Sequence, residues 1–87
     1  MYILIVYDVG VERGAKVHKL LKQFLHWRQN SVFEGELTEA QIEKVKTSLS
    51  SIIDYNFDSI LLYTARDEKW LKRESIGNDK NTTANFL

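Results

Sequence analysis

The run Tyr2-Ile3-Leu4-Ile5-Val6-Tyr7 constrains this chain more than any other feature. Its length and its β-branched and aromatic content favour a strand. A strand with one face in water alternates apolar with polar residues. This one does not, so both its faces are expected to be buried. The chain that must bury them has 87 residues, with no cysteine and no proline. That length holds one small domain, and without cysteine it has neither disulfides nor thiolate metal sites. Twelve Lys and Arg balance twelve Asp and Glu, which argues against a uniformly cationic nucleic-acid coat. No apolar stretch approaches the roughly 20 residues of a membrane span, and residues 1–7 lack the basic start and cleavage site of a signal peptide. A cytoplasmic domain without membrane contact is the expectation.

Beyond the turn Asp8-Val9-Gly10 the apolar period changes. Val17, Leu20, Leu21, Phe24 and Leu25 fall at i, i+3, i+4, i+7 and i+8, which predicts an amphipathic helix from Glu12 to about Trp27. That helix would carry both His18 and His26. Arg28 to Leu37 reads as a strand with Phe33 and Gly35 on one side and Val32, Glu34 and Glu36 on the other. Alternatively it splits into two short strands near Asn30-Ser31 or Gly35. Thr38-Glu39-Ala40-Gln41 is a capping box, and Leu37 with Ile42 is placed as a hydrophobic staple. A second helix therefore starts at Glu39, its stripe carried by Ile42, Val45, Leu49 and Ile52 or Ile53. Ser59 to Thr64 is a further apolar run with little alternation. After Ala65 the chain turns charged and turn-rich, ending in Phe86-Leu87.

These elements predict an α+β fold, a ferredoxin-like βαββαβ sandwich spanning residues 1–66, with an extension over 67–87 for dimer or partner contact. Two helices cover one sheet face only. The other face is apolar too, and an exposed apolar face marks an interaction site; two copies packed sheet to sheet around a two-fold axis would cover it. The terminal Phe86-Leu87 either crosses to the partner as an added edge strand or remains an untied end.

Asp8 is the acid that ends the first strand. It either opens the turn or caps the helix, or it serves as a ligand for a hard cation such as Mg²⁺, which prefers one or two carboxylates. One aspartate is a poor site, and two across a dimer axis make a better one. Between Arg13 and Phe33 stand Arg13, Lys16, Lys19, Lys22 and Arg28 with no acid among them. Lys16, Lys19 and Lys22 share the helix's polar side, forming either a phosphate-facing ridge or an ordinary lysine-rich surface. His18 and His26, eight residues apart, cannot chelate one metal from a helix. No nucleophilic triad and no Gly-rich phosphate loop is present.

Several of these features occur together with the segment Ser31-Val32-Phe33-Glu34-Gly35-Glu36-Leu37-Thr38. With Tyr7-Asp8-Val9 closing an apolar strand, Arg13 in the next turn and Asp58-Ser59-Ile60 opening the last core strand, the chain resembles one family. It is the small nuclease-like subunit of the CRISPR adaptation machinery, partner of the spacer integrase. The resemblance implies a ferredoxin-like homodimer with an exchanged C-terminal strand and Mg²⁺ held by the pair of catalytic Asp8 residues. It also implies metal-dependent cleavage of RNA or double-stranded DNA, and a bridging role between integrase dimers on the incoming protospacer DNA. Arg13, Lys16, Lys19, Arg28 and Ser31 are the candidate nucleic-acid contacts. Members of that family commonly carry two or more basic residues after the aspartate, whereas this chain has Glu12-Arg13-Gly14-Ala15. Three functions stand as alternatives: a metal-dependent nuclease, a non-catalytic DNA-binding scaffold of the adaptation complex, and a small-molecule-sensing dimer without nucleic-acid affinity.

Overall fold

Strand β1 (Tyr2–Asp8) runs through the interior of a four-stranded antiparallel sheet, and its two faces meet different surroundings. A computed structural model describes residues 1–80. After β1 come α1 (Val11–Lys22), β2 (His26–Gln29), β3 (Val32–Glu36), α2 (Glu39–Ile52) and β4 (Ser59–Ala65), then a single 3-10 turn at Glu68–Trp70. The sheet order β2-β3-β1-β4, with both helices on one face, is the expected ferredoxin-like α+β sandwich. The proposed strand at Phe86-Leu87 lies outside the described residues. No helix among those described is long and apolar enough to cross a membrane.

Ile3, Ile5 and Tyr7 point toward the helices and form the core with Phe33, Val17 and Leu21 of α1, and Ile42, Val45 and Leu49 of α2. Phe33 is fully buried, stacked on Tyr7 at a centroid distance of 6.3 Å and met edge-on by His18 at 5.0 Å. Its inward direction fixes the register of β3 against β1, where Ile5 pairs with Phe33 and Ile3 with Gly35. At the start of α2 the Gln41 amide donates to the Thr38 hydroxyl over 3.1 Å, and the Thr38 amide donates to the Gln41 side chain over 2.9 Å. Leu37 and Ile42 are both buried beside this capping box.

Helix α1 is shorter than its apolar spacing suggests. It ends at Lys22 rather than near Trp27, and Gln23 and Phe24 close it with amides donating to the Leu20 and Leu21 carbonyls. Leu25 still reaches the core, but from a turn. The next residues pair with β3, His26 opposite Glu34 and Trp27 opposite Phe33, so His26 belongs to β2 and not to the helix. The split of the second strand falls at Asn30-Ser31, with Asn30 in the left-handed region at φ 43°. Gly35 allows Leu25 to close over β3, since a Cβ there would lie 3.1 Å from Leu25 Cδ2.

On the other face of the sheet, Leu4 and Val6 stand beside Tyr63 and Leu61 of β4. Leu61 and Tyr63 are each 54 % exposed. Part of this face is roofed by the extension: Arg73 donates to Glu34 over 2.6 Å, and Arg28 donates to Asp79 over 2.5 Å. Tyr2 is buried beneath it, and that burial, together with the nearby Glu34 charge, pushes its hydroxyl pKa up to about 12. The other end of the face, at Val6, Leu61 and Asp8, stays open.

Candidate active site

Asp8 is the last residue of β1, and alternation places it on the open face because Tyr7 points into the core. It is exposed, opposite Ser59 of β4. Its carboxylate makes no hydrogen bond or ion pair with another described residue. The turn-opening and helix-capping roles are therefore not taken up: Gly10, not Asp8, precedes α1, and no side chain caps that helix. A free, hard carboxylate fits Mg²⁺ chemically. One chain offers one such group, however, and no cluster of three His, Asp or Glu side chains able to hold a metal occurs among the described residues.

A second acid governs this corner. Asp58, one residue before β4, accepts from the Gly10 amide over 2.9 Å, from the Asp54 amide over 2.8 Å, and from Arg13 through Nη2 over 2.9 Å and through Nε. Its side chain is fully buried. The Arg13 hydrogen bonds hold the Asp58 carboxyl far below the ordinary carboxylate range, outweighing burial, which acts the other way; the two backbone amides add to the depression. The guanidinium is correspondingly raised, first by its bond to Asp58. Arg13 Nη1 also donates to Glu12 over 2.7 Å. The loop after β1 and the loop before β4 are thus tied together immediately beyond Asp8.

The sequence candidates do not converge on one spot. Arg13 sits near Asp8 in the chain, but its guanidinium is occupied by Asp58 and Glu12. Lys16 and Lys19 are exposed on α1, which covers the face of the sheet opposite Asp8. Arg28 is mostly buried between Asp79 and, at 3.9 Å, Glu34. Ser31 lies at the β2–β3 turn, where its carbonyl accepts from the Tyr7 amide over 3.0 Å; burial raises the Tyr7 pKa, and the Ser31 side chain nearby partly offsets that rise. In the sequence Asp58 figures as the residue before an apolar run and as part of the Asp58-Ser59-Ile60 motif of the resemblance, with no role assigned to its side chain, and its partners lie up to 48 residues away.

The sequence pattern of the family described as CRISPR associated protein Cas2 matches residues 1–73. The chain belongs to the Cas2 family. It is 48% identical to the CRISPR-associated endoribonuclease Cas2 of Methanosarcina acetivorans over 87 residues, the full length of both. The Pyrococcus furiosus protein of the same description is 53% identical over 81 residues, 93% of each chain. Among solved structures, a Cas2 crystal structure superposes with a TM-score of 0.86 at 47% identity, covering 93% of this chain and 91% of that one. Streptococcus pyogenes Cas2 at pH 6.5 gives a TM-score of 0.77 at 34% identity, covering 88% of this chain and 100% of the other. The sandwich and the CRISPR association are therefore those of Cas2 proteins.

Proposed function

We propose that this chain is a Mg²⁺-dependent phosphodiesterase of CRISPR adaptation that works as a homodimer, with Asp8 from each copy forming one shared catalytic centre. The observation that carries this reading is the position of Asp8: an unpartnered carboxylate at the rim of the uncovered apolar face. A second copy laid on Leu4, Val6, Leu61 and Tyr63 would bring a second Asp8 toward the first. Bound Mg²⁺ would polarise a phosphoryl oxygen and make a water more acidic. The chain's own part is to hold two carboxylates at a rigid strand end, with the Asp58–Arg13 tie keeping the adjoining loop in place. Arg13 would then act by position, since its guanidinium is already bound. The endoribonuclease description of the relatives makes single-stranded RNA the first substrate to try, and double-stranded DNA the second. A Mg²⁺ titration of cleavage on both substrates, wild type beside Asp8→Ala, tests this. Cleavage lost in the variant supports it, and cleavage unchanged in the variant removes it.

A second reading is favoured by the exposed Lys16 and Lys19 on the far side of the sheet from Asp8. In that reading the homodimer binds protospacer DNA through α1, with Arg28 and Ser31 at the sheet's other edge, and bridges the integrase as a non-catalytic scaffold. The C-terminal segment with Phe86-Leu87 would be exchanged between copies or docked on the integrase. Spacer acquisition that survives Asp8→Ala while cleavage is lost would make the scaffold role the biological one. Phosphate contacts of this kind weaken steeply with salt, so DNA binding should fall sharply as salt rises.

A further inference from the structure

The apolar stripe of the open face ends in a polar row of two side chains. Ser59 is the partner of Asp8 in the β1–β4 ladder, so both project to the same face with Cβ atoms about 4.5–5.5 Å apart. Both residues are exposed, and neither side chain has a hydrogen-bond partner among the described residues. The neighbouring rows on this face are Val6 beside Leu61 and Leu4 beside Tyr63, so the Ser59 hydroxyl is the one β4 polar group directly across from the free carboxylate. The backbone on both sides is anchored. Asp58, immediately before Ser59, is held by the Gly10 and Asp54 amides and by Arg13, and Gly10 lies two residues after Asp8.

Resting on the metal-site reading above, we infer that Ser59 is a positioning residue for Asp8. Rotation about χ1 brings its hydroxyl within range to donate to one carboxylate oxygen, which fixes the plane of the carboxylate and leaves the other oxygen for a cation. Groups that orient a metal-binding side chain in this way typically change metal affinity by about 10–100-fold when removed. A serine serving only as a polar start to an edge strand would have no such effect.

The test uses the full-length chain with Mn²⁺ as the probe and no nucleic acid, reading free Mn²⁺ by electron paramagnetic resonance. Ser59→Ala should weaken Mn²⁺ binding about 10-fold or more, while Ser59→Thr, which keeps the hydroxyl, should stay within about 3-fold of wild type. Wild-type affinity in Ser59→Ala would overturn the inference, as would a Thr variant as weak as the Ala variant when both melt like wild type. Asp8→Asn separates the two levels. If it abolishes Mn²⁺ binding while Ser59→Ala does not weaken it, the Ser59 role fails and the metal site stands. If Asp8→Asn binds as wild type does, both fail together.

Discussion

Two carboxylates stand at the same end of the sheet, and the chain treats them in opposite ways. Asp58 is fully buried and accepts four hydrogen bonds, two from Arg13 and two from the Gly10 and Asp54 amides. Asp8, at the tip of the adjacent strand, is exposed and has no partner among the described residues. A buried charge must be paired and hydrogen-bonded to be tolerated, so Asp58 is explained by the fold. The Asp8 backbone pairs with Ser59 in the sheet, but its carboxylate makes no hydrogen bond or ion pair among the described residues that would hold the fold. The acid with the most hydrogen bonds is thus the structural one, and the acid without any is the candidate for chemistry.

The comparison breaks most sharply by substitution. Asp8→Ala should lower Mg²⁺-dependent cleavage by at least about 100-fold and leave the melting temperature close to that of wild type. Asp58→Asn should do the reverse at first. It removes the charged acceptor and leaves Arg13 poorly satisfied in a part-buried site, so the melting temperature should fall by about 10 °C, with cleavage lost only as the fold loosens. Circular dichroism melts beside a cleavage assay read both effects. If Asp8→Ala melted as far below wild type as Asp58→Asn, the division of labour would be wrong.

The same contrast has a pH signature. The Asp58 carboxyl titrates lower in the folded chain than in the unfolded one, so its stabilisation is fully present above the ordinary aspartate value of about 4 and is lost as pH falls through the depressed folded value. The melting-temperature gap between wild type and Asp58→Asn should therefore be widest near neutral pH and shrink progressively below about pH 4. A gap that grew on acidification would contradict the assignment.

The smallest effect is expected at Gly10. A Cβ there would lie 2.5 Å from Arg13 Nη2 and 2.8 Å from Glu12 Oε1. Both are ends of flexible side chains that can yield, but in yielding the guanidinium is drawn off Asp58. Gly10→Ala should cost about 4 °C in melting temperature, less than Asp58→Asn, and the two losses should not add because they break one network.

These contrasts also mark what the sequence could carry. The unalternating run of β1, the Thr38–Gln41 capping box and the stripe of α2 are local patterns, and each appears in the structure where its residues say it should. The end of α1 is not local. Phe24 and Leu25 continue the helical spacing, yet Leu25 reaches the core equally well from a turn, and pairing of His26 and Trp27 with β3 decides between the two. Asp8 stood out because it closes a strand. The role of Asp58 depends on Arg13 and Gly10, more than 40 residues away, and no spacing rule reveals such a tie. Arg13 reads as a phosphate contact in the sequence for the same reason, because Asp58 lies 45 residues away along the chain.

Isothermal titration calorimetry of divalent-ion binding reads directly whether two Asp8 carboxylates share one site. A site shared by two Asp8 carboxylates predicts one Mn²⁺ for every two chains, and none in Asp8→Asn. One ion per chain, or an unchanged isotherm in Asp8→Asn, would contradict it.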